Sequence, residues 1–383
     1  MRPIGDTLDA SDAVEAATGE LVRWGWSSAW SARFAPFAAR GWVPGRVAVG
    51  RRDEALVATE AGMLRASVTG RLRHEATGAA DFPATGDWVA LAPRAAEGTA
   101  TIHALVPRAT SFNRADEFGA DQVLAANVDT VFLVASLNRD FNPARLERYA
   151  ALAWSSGARP VIVLNKADLA DDVPARIADA AAAAPGIEIH AVSAATGAGL
   201  EQLAAYLGPG QTVALLGSSG VGKSTLTNRL LGRERQQVRK IREDDSRGRH
   251  TTTERELVPL PSGGLLLDTP GLRAVGLWEA ADGIRAAFAD IVAEIGALAE
   301  RCRFRDCHHE SEPGCAVRAA IERGELDPDR LASMRRLERE ERAAERRNAI
   351  GRQRAEVNRM NRRFGRLVRD IEETKRSLHG AGE

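Results

Sequence analysis

The chain has 383 residues, 44% hydrophobic and 27% charged, with a formal net charge of zero. This composition has room for two or three domains and excludes wholesale disorder. No apolar run reaches the roughly 18 residues that a membrane-spanning helix needs, and the polar, acidic start has no apolar signal-peptide stretch, so a cytoplasmic protein off the membrane is expected. The zero balance is uneven. Residues 330–376 carry 16 Arg and Lys against 8 Asp and Glu, a basic excess that suits nucleic acid.

In chain order, residues 1–40 hold Trp24, Trp26, Trp30, Phe34 and Phe37, spaced as on a short amphipathic helix that packs against the next domain. Residues 41–111 change to short β-like runs, at Arg46 to Val49, Ala55 to Thr59, Met63 to Val68, Asp87 to Leu91 and Ile102 to Val106. Five such runs suit a small barrel of the OB-fold type, with Trp88 read as a core residue rather than a base-stacking platform. Residues 112–277 alternate apolar strands with helical stretches, the pattern of a parallel sheet covered on both faces. The strands are Val128 to Ser136, Pro160 to Leu164, Ile187 to Val192, Val213 to Leu216 and Leu265 to Leu267. Glu188 and His190 make the third of these an edge strand. Pro143 to Ser155 and Leu200 to Leu207 read as helices, and Ala180 to Ala184 as part of a surface helix. In residues 278–330, Ile284, Phe288, Ile291, Ile295 and Leu298 recur on one face of a helix before a cysteine cluster. The Arg/Glu-rich stretch beyond Asp327, ending in a basic tail over 331–383, reads as helix that buries little: solvated, or ordered on a partner.

Gly217, Ser218, Ser219, Gly220, Val221, Gly222, Lys223, Ser224 and Thr225 fit the phosphate-loop pattern between an apolar strand and a helix. The glycines let backbone N–H groups curl toward phosphate oxygens. Lys223 is the candidate for the β- and γ-phosphates and Ser224 for Mg²⁺. Asp268-Thr269-Pro270-Gly271 follows another apolar strand, with Asp268 placed for the Mg²⁺ shell and the Gly271 N–H for the γ-phosphate.

Asn165-Lys166-Ala167-Asp168 also ends an apolar strand. The Asp168 carboxylate can accept N1–H and N2–H of guanine, where adenine presents an acceptor at N1. Asn165 would brace neighbouring loops, the Lys166 stem would cover the base, and Ser193-Ala194 sits where a second base loop belongs. This guanine reader precedes the phosphate loop, the reverse of the ordinary GTPase order, and points to a circularly permuted GTPase. All these loops lie at strand ends where open α/β sheets bind ligands, so rewiring leaves the pocket whole.

The polar stretch Arg247 to Thr253 reads as a first switch, with Thr251 and Thr252 equally placed to complete the Mg²⁺ shell. Leu272, after Gly271, stands where many GTPases carry a water-orienting Gln. His250 is a candidate for that task, beside its plain reading as a loop residue. Cys302, Cys307 and Cys315, with His308 or His309, supply the Cys₃His set of a structural zinc site.

Together these segments, with Gly86-Asp87-Trp88-Val89 and Ala125-Ala126-Asn127-Val128-Asp129, make the chain similar to the bacterial ribosome-small-subunit-dependent GTPase A family over roughly residues 41–330. The resemblance implies an N-terminal OB-fold, a permuted GTPase core and a helical zinc-binding C-terminal domain. It implies binding to the small ribosomal subunit and its rRNA late in maturation, with hydrolysis stimulated by the subunit. It implies GTP, Mg²⁺ and one Zn²⁺, the zinc on Cys302, Cys307, His309 and Cys315. A monomer is expected. Two other readings compete. One is an RNA-binding module that has lost turnover, against which Lys223, Ser224 and Asp268 speak. The other is an ATP-dependent kinase, against which Asp168 speaks.

Overall fold

The computed structural model describes residues 19–51, 54–115, 121–138, 141–232, 255–268 and 280–347, with 349 and 353. Helices α1 (Glu20–Arg23) and α2 (Ser28–Ala38) come first. The Ser27 hydroxyl caps α2 by accepting the Trp30 N–H. Trp26 meets Trp88 edge-on at 4.8 Å and Phe34 at 5.8 Å, so this aromatic segment is a seat on the next domain.

That domain is a closed barrel of β1 (Val43–Gly50), β2 (Glu54–Thr59), β3 (Gly62–Val68), β4 (Trp88–Arg94) and β5 (Thr99–Leu105), ordered β1-β2-β3-β5-β4. Each expected run is a strand. Only β3 and β5 pair in parallel. Closure removes the sheet edges that a small open sheet would expose. Val47, Val57, Leu64, Val89, Leu91 and Ile102 fill the barrel; Trp88 is fully buried, but outside that interior, packed with Trp26 and Trp30. Helix α3 (Gly70–Glu75) follows β3. A hairpin of β6 (Ser111–Ala115) and β7 (Asp121–Ala126), which no sequence pattern marks, leads out of the barrel.

The joint between barrel and sheet is polar and buried. Arg46 of β1, 1% exposed, donates to the Asn127 carbonyl at 3.0 Å and to Thr212 Oγ1 at 3.3 Å, and lies over the Trp88 ring at 5.0 Å. Burial lowers its pKa to about 10, opposed by Asp129 and Asp87, so it stays charged at neutral pH. Asn127 holds a left-handed φ of 56°, accepts the Ala109 N–H at 2.8 Å and donates to the Gly86 carbonyl at 3.0 Å. Asp87 is fully buried and takes both arms of the Arg108 fork at 2.7 Å. Removing one member of such a pair leaves a buried charge uncompensated, at a cost of about 3–5 kcal/mol.

The second sheet has six strands, ordered β10-β9-β8-β11-β13-β12. They are β8 (Thr130–Ser136), β9 (Arg159–Asn165), β10 (Ile189–Ala191), β11 (Thr212–Leu216), β12 (Glu256–Pro259) and β13 (Leu265–Asp268). All neighbours are parallel except β12 and β13. Strand β12 is an addition to the strands expected from the sequence. Strand β10 is the expected edge strand, and its neighbour Glu188 bonds Arg159 and Tyr206. Started at the phosphate-loop strand, the chain would run β11, β12, β13 and then β8, β9, β10; here the second half comes first.

Helices α4 (Pro143–Ser156), α5 (Val173–Ala183) and α6 (Lys223–Leu231) cover the sheet. Leu200–Tyr206 is a 3₁₀ helix rather than an α-helix. The alanine run does lie on a surface helix, but Ala180, Ala183 and Ala184 face inward and are buried.

The expected long helix after residue 278 is broken at the fully buried Phe288 into α7 (Ala281–Ala287) and α8 (Ala289–Ala299). Helix α7 touches α4 backbone to backbone, where a Cβ on Gly283 would lie 2.2 Å from the Ala151 carbonyl oxygen. Helix α9 (Ala316–Glu322) follows the cysteine cluster, and α10 spans residues 328–347. Contrary to the expectation of a helix with little to bury, α10 buries Leu331, Met334 and Leu337, three residues apart on one face. Arg330, 7% exposed, donates to the Ala183 and Ala287 carbonyls at 2.6 and 2.8 Å, pairs with Glu147 and lies 4.2 Å over Phe288. Most of the basic tail lies outside the described residues.

Candidate functional site

The central strand β11 is buried along its whole length, which fixes where its following loop begins. A Cβ on Gly217 would come within 2.3 Å of the Val134 carbonyl of β8, so only glycine leaves the strand at that point. Gly220 and Gly222 have φ of +82° and +96°, the left-handed region glycine enters without strain. Helix α6 starts at Lys223, directly after the loop, and the first-turn N–H groups of a helix have no carbonyl of the helix itself to bond. The Lys223 ammonium folds back over the loop onto the Gly217 carbonyl at 2.7 Å and onto that of Ser218. Ser219, Ser224 and Thr225 are exposed, while Val221 is buried.

Strand β9 delivers the second set of residues. The Asn165 side chain, 2% exposed, donates to the Val221 carbonyl at 2.9 Å and accepts the Ala194 N–H at 2.9 Å. One amide thereby ties the end of β9 to the phosphate loop and to the loop at Ser193 and Ala194. Lys166, in a left-handed conformation at φ 65°, donates to the Gly220 carbonyl at 2.6 Å. Ser193 is buried and accepts the Thr196 N–H at 3.1 Å. Asp168 stands exposed on the 3₁₀ turn Ala167–Leu169. Asp268 closes β13, next to β11 in the sheet. His250, Thr251, Thr252 and Gly271 lie outside the described residues.

Two further side chains hold the site. Arg229 of α6 donates to the Ala194 carbonyl at 3.0 Å and to that of Ala195. Arg145 of α4 donates to Ser218 Oγ at 3.0 Å. Neither belongs to a local motif, so no sequence signal marks them.

The donor set fits a purine nucleoside triphosphate with Mg²⁺. The phosphate loop and the Lys223 ammonium follow the end of β11, the Asp168 carboxylate follows the end of β9, and a Cβ on Gly217 or Gly222 would collide with the Val134 carbonyl or the Asn165 amide, so the loop keeps its close approach only with glycine.

A second cluster lies between α8 and α9. The ligand atoms of Cys302, Cys307, His309 and Cys315 are all within 4.8 Å of one another. Cys302 Sγ is 4.0 Å from Cys315 Sγ, and His309 Nδ1 lies 3.6 and 3.4 Å from these two sulfurs. Four ligands set tetrahedrally about 2.1–2.3 Å from zinc stand roughly 3.4–3.8 Å apart; the two His309 separations fall in that range and that between Cys302 and Cys315 is wider, and three thiols with one imidazole are the donor chemistry that suits that ion. His308 is exposed and outside the cluster, in which His309 stands with the three cysteines.

Burial, and then the Arg335 guanidinium, lower the His309 pKa and favour the neutral imidazole that binds metal. Burial raises the Cys302 thiol, but the N–H groups of Ala316 and Val317 together with hydrogen bonds from Cys307 and Cys315 bring the pKa down. Glu312 gathers the N–H groups of His308, Glu310 and Ser311 at 2.9–3.0 Å, which holds its carboxyl down at about 2 and shapes the ligand turn. Arg335 of α10 donates to the His308 and His309 carbonyls at 3.2 and 3.3 Å. Among the described residues no helix is long and apolar enough to cross a membrane.

A family model described as RsgA GTPase matches residues 105–278. The chain is 48% identical over 333 residues to the small ribosomal subunit biogenesis GTPase RsgA of Opitutus terrae, covering 84% of this chain and 90% of that protein. It is 46% identical over 363 residues to the protein of that name in Streptomyces coelicolor, covering 93% and 96%. Among solved structures it resembles YjeQ from Thermotoga maritima, with TM-score 0.55, 25% identity and coverage of 77% of this chain and 97% of that one. The fold is also that of YloQ, described as a circularly permuted GTPase, with TM-score 0.52, 23% identity and coverage of 76% and 92%. The rewired sheet and the relatives that span nearly the whole chain agree: the chain belongs to the RsgA GTPase family.

Proposed function

We propose that the chain binds GTP with Mg²⁺ in the pocket between β9 and β11 and hydrolyses it in the biogenesis of the small ribosomal subunit, with turnover stimulated by that subunit. The observation that carries this is the Asn165 amide, which joins the guanine-reading strand to the phosphate loop through two 2.9 Å bonds. In this reading the N–H groups from Gly217 to Thr225 line the phosphates, and the Lys223 ammonium moves from its carbonyls to the β- and γ-phosphate oxygens. Asp168 accepts the guanine N1–H and N2–H, Lys166 covers the base plane, and Ser193 and Ala194 close its far side. Ser224 and Asp268 hold Mg²⁺, which neutralises charge developing on the transferred phosphoryl group. The Gly271 N–H meets the γ-phosphate, and His250 orients the attacking water where Leu272 replaces glutamine.

The four Cys and His ligands hold one structural Zn²⁺; with four protein ligands no position remains for a reacting water. The division into an extension (1–40), a barrel (41–111), a GTPase core (112–277), a zinc module (278–330) and a basic tail (331–383) belongs to the same reading. Barrel and tail contact rRNA chiefly through phosphate, in the cytoplasm, as a monomer.

The test is GTP hydrolysis measured with purified small subunits, large subunits and neither. Small subunits are expected to raise turnover by at least about tenfold, a barrier lowered by roughly 1.4 kcal/mol, and large subunits to leave it unchanged. Lys223→Ala should abolish the stimulated rate. Equal rates in all three mixtures would remove the ribosomal part of the proposal.

A further inference from the structure

We propose that Arg145 is a positioning residue for nucleotide binding, anchoring the phosphate loop through the Ser218 hydroxyl from the neighbouring helix α4. The inference rests on the reading of the pocket as a guanine-nucleotide site.

Arg145 Nη1 lies 3.0 Å from Ser218 Oγ, although 73 residues separate the two in sequence. Ser218 is also one of the two residues whose carbonyls receive the Lys223 ammonium. The guanidinium therefore holds the stretch of backbone against which the phosphate-binding lysine is set.

The base of the anchor is stiff. Arg145 is the third residue of α4; Asn142 caps the helix by accepting the Arg145 N–H at 3.2 Å, and Pro143 occupies its first position. Leu146, Glu147, Ala150 and Ala151 of the same helix are buried.

The placement of this cation is itself informative. The first turn of α4 holds no acidic residue, and a positive charge there opposes the helix dipole. The Ser218 hydroxyl is one of the groups this cation meets across the fold. The phosphate loop is thus gripped at both ends: Arg145 from the β8 side takes Ser218 near its start, and Asn165 from β9 takes Val221 near its close. A loop fixed before the nucleotide arrives loses less conformational freedom on binding.

The test is a double-mutant cycle on the full-length, zinc-loaded protein. GDP and GTP dissociation constants are measured by calorimetry for wild type, Arg145→Ala, Ser218→Ala and the double variant, with a thermal melt of each. Arg145→Ala is expected to weaken both nucleotides about tenfold, as for loss of a charge-assisted hydrogen bond, with a single cooperative melt lowered by no more than about 4 °C. Ser218→Ala should weaken them in the same direction, and the double variant should bind no worse than the weaker single one. Wild-type affinity in Arg145→Ala, or losses that multiply in the double variant, would overturn the inference while the pocket reading stands. If Arg145→Ala fails to fold, undiminished affinity in Ser218→Ala overturns it instead. A wild-type chain that does not bind guanine nucleotides overturns the pocket reading and this inference with it.

Discussion

Gly222→Ala is expected to weaken GTP binding by at least about 100-fold while the protein stays folded. Two effects add. The residue sits at φ +96°, where an L side chain is strained by roughly 1–3 kcal/mol. The new Cβ would also lie 2.3 Å from Asn165 Nδ2. Asn165 must then give up its bond to the Val221 carbonyl, and with it the Ala194 contact that sets the second base loop. Phosphate loop and base loop move apart together, which costs binding more than either bond alone. The loop is a surface connection, so the barrel and the strands beneath it keep their packing. Calorimetric titration with GTP, beside a thermal melt, checks both halves of the expectation. Affinity within about threefold of wild type would show that the amide bridge between β9 and the loop is dispensable.

The second large effect concerns the Cys₃His cluster. One zinc per chain is expected by elemental analysis, and Cys307→Ser or a strong chelator should remove it. Structural zinc supplies about 10 kcal/mol or more of folding free energy in small metal domains. Without it, the ligand turn between α8 and α9 loses its closure. That turn presents the His308 and His309 carbonyls to Arg335, so the hold on α10 weakens as well. The segment from α8 through α10 should become sensitive to limited proteolysis. GTP affinity should change by less than about threefold, because the bonds described at the phosphate loop come from α4, β9 and α6. A zinc-free protein that resists protease like the wild type would rule out a structural role for the metal.

The parts legible in the sequence are those whose information is local. The phosphate loop is one contiguous run in which glycine, lysine and hydroxyl each have a fixed duty. The five barrel strands each carry their own apolar runs and turn residues, and the Cys₃His spacing lies within a single turn-rich segment. The hairpin of β6 and β7 escaped because Asn113, Arg114, Asp121 and Gln122 give it no apolar alternation. The stripe of Leu331, Met334 and Leu337 is present in the sequence, but the surrounding arginines and glutamates outweigh it in composition. The joint built by Arg46, Asp87, Arg108 and Asn127 is of another kind. No local pattern tells which partners these polar side chains meet, and the burial of Arg46, Asp87 and Asn127 is offset by groups that the fold brings from elsewhere. Arg145 and Arg229 belong to the same class: their partners are loop atoms far away in sequence.

The most direct test of the rewired pocket is competitive calorimetry of GTP against ATP on the full-length, zinc-loaded protein with Mg²⁺. With Asp168 reading the base edge, GTP should bind at least about 100-fold more tightly, since a base that cannot satisfy a dedicated polar group is rejected strongly. Equal affinity for the two nucleotides would contradict a guanine site formed between β9 and β11.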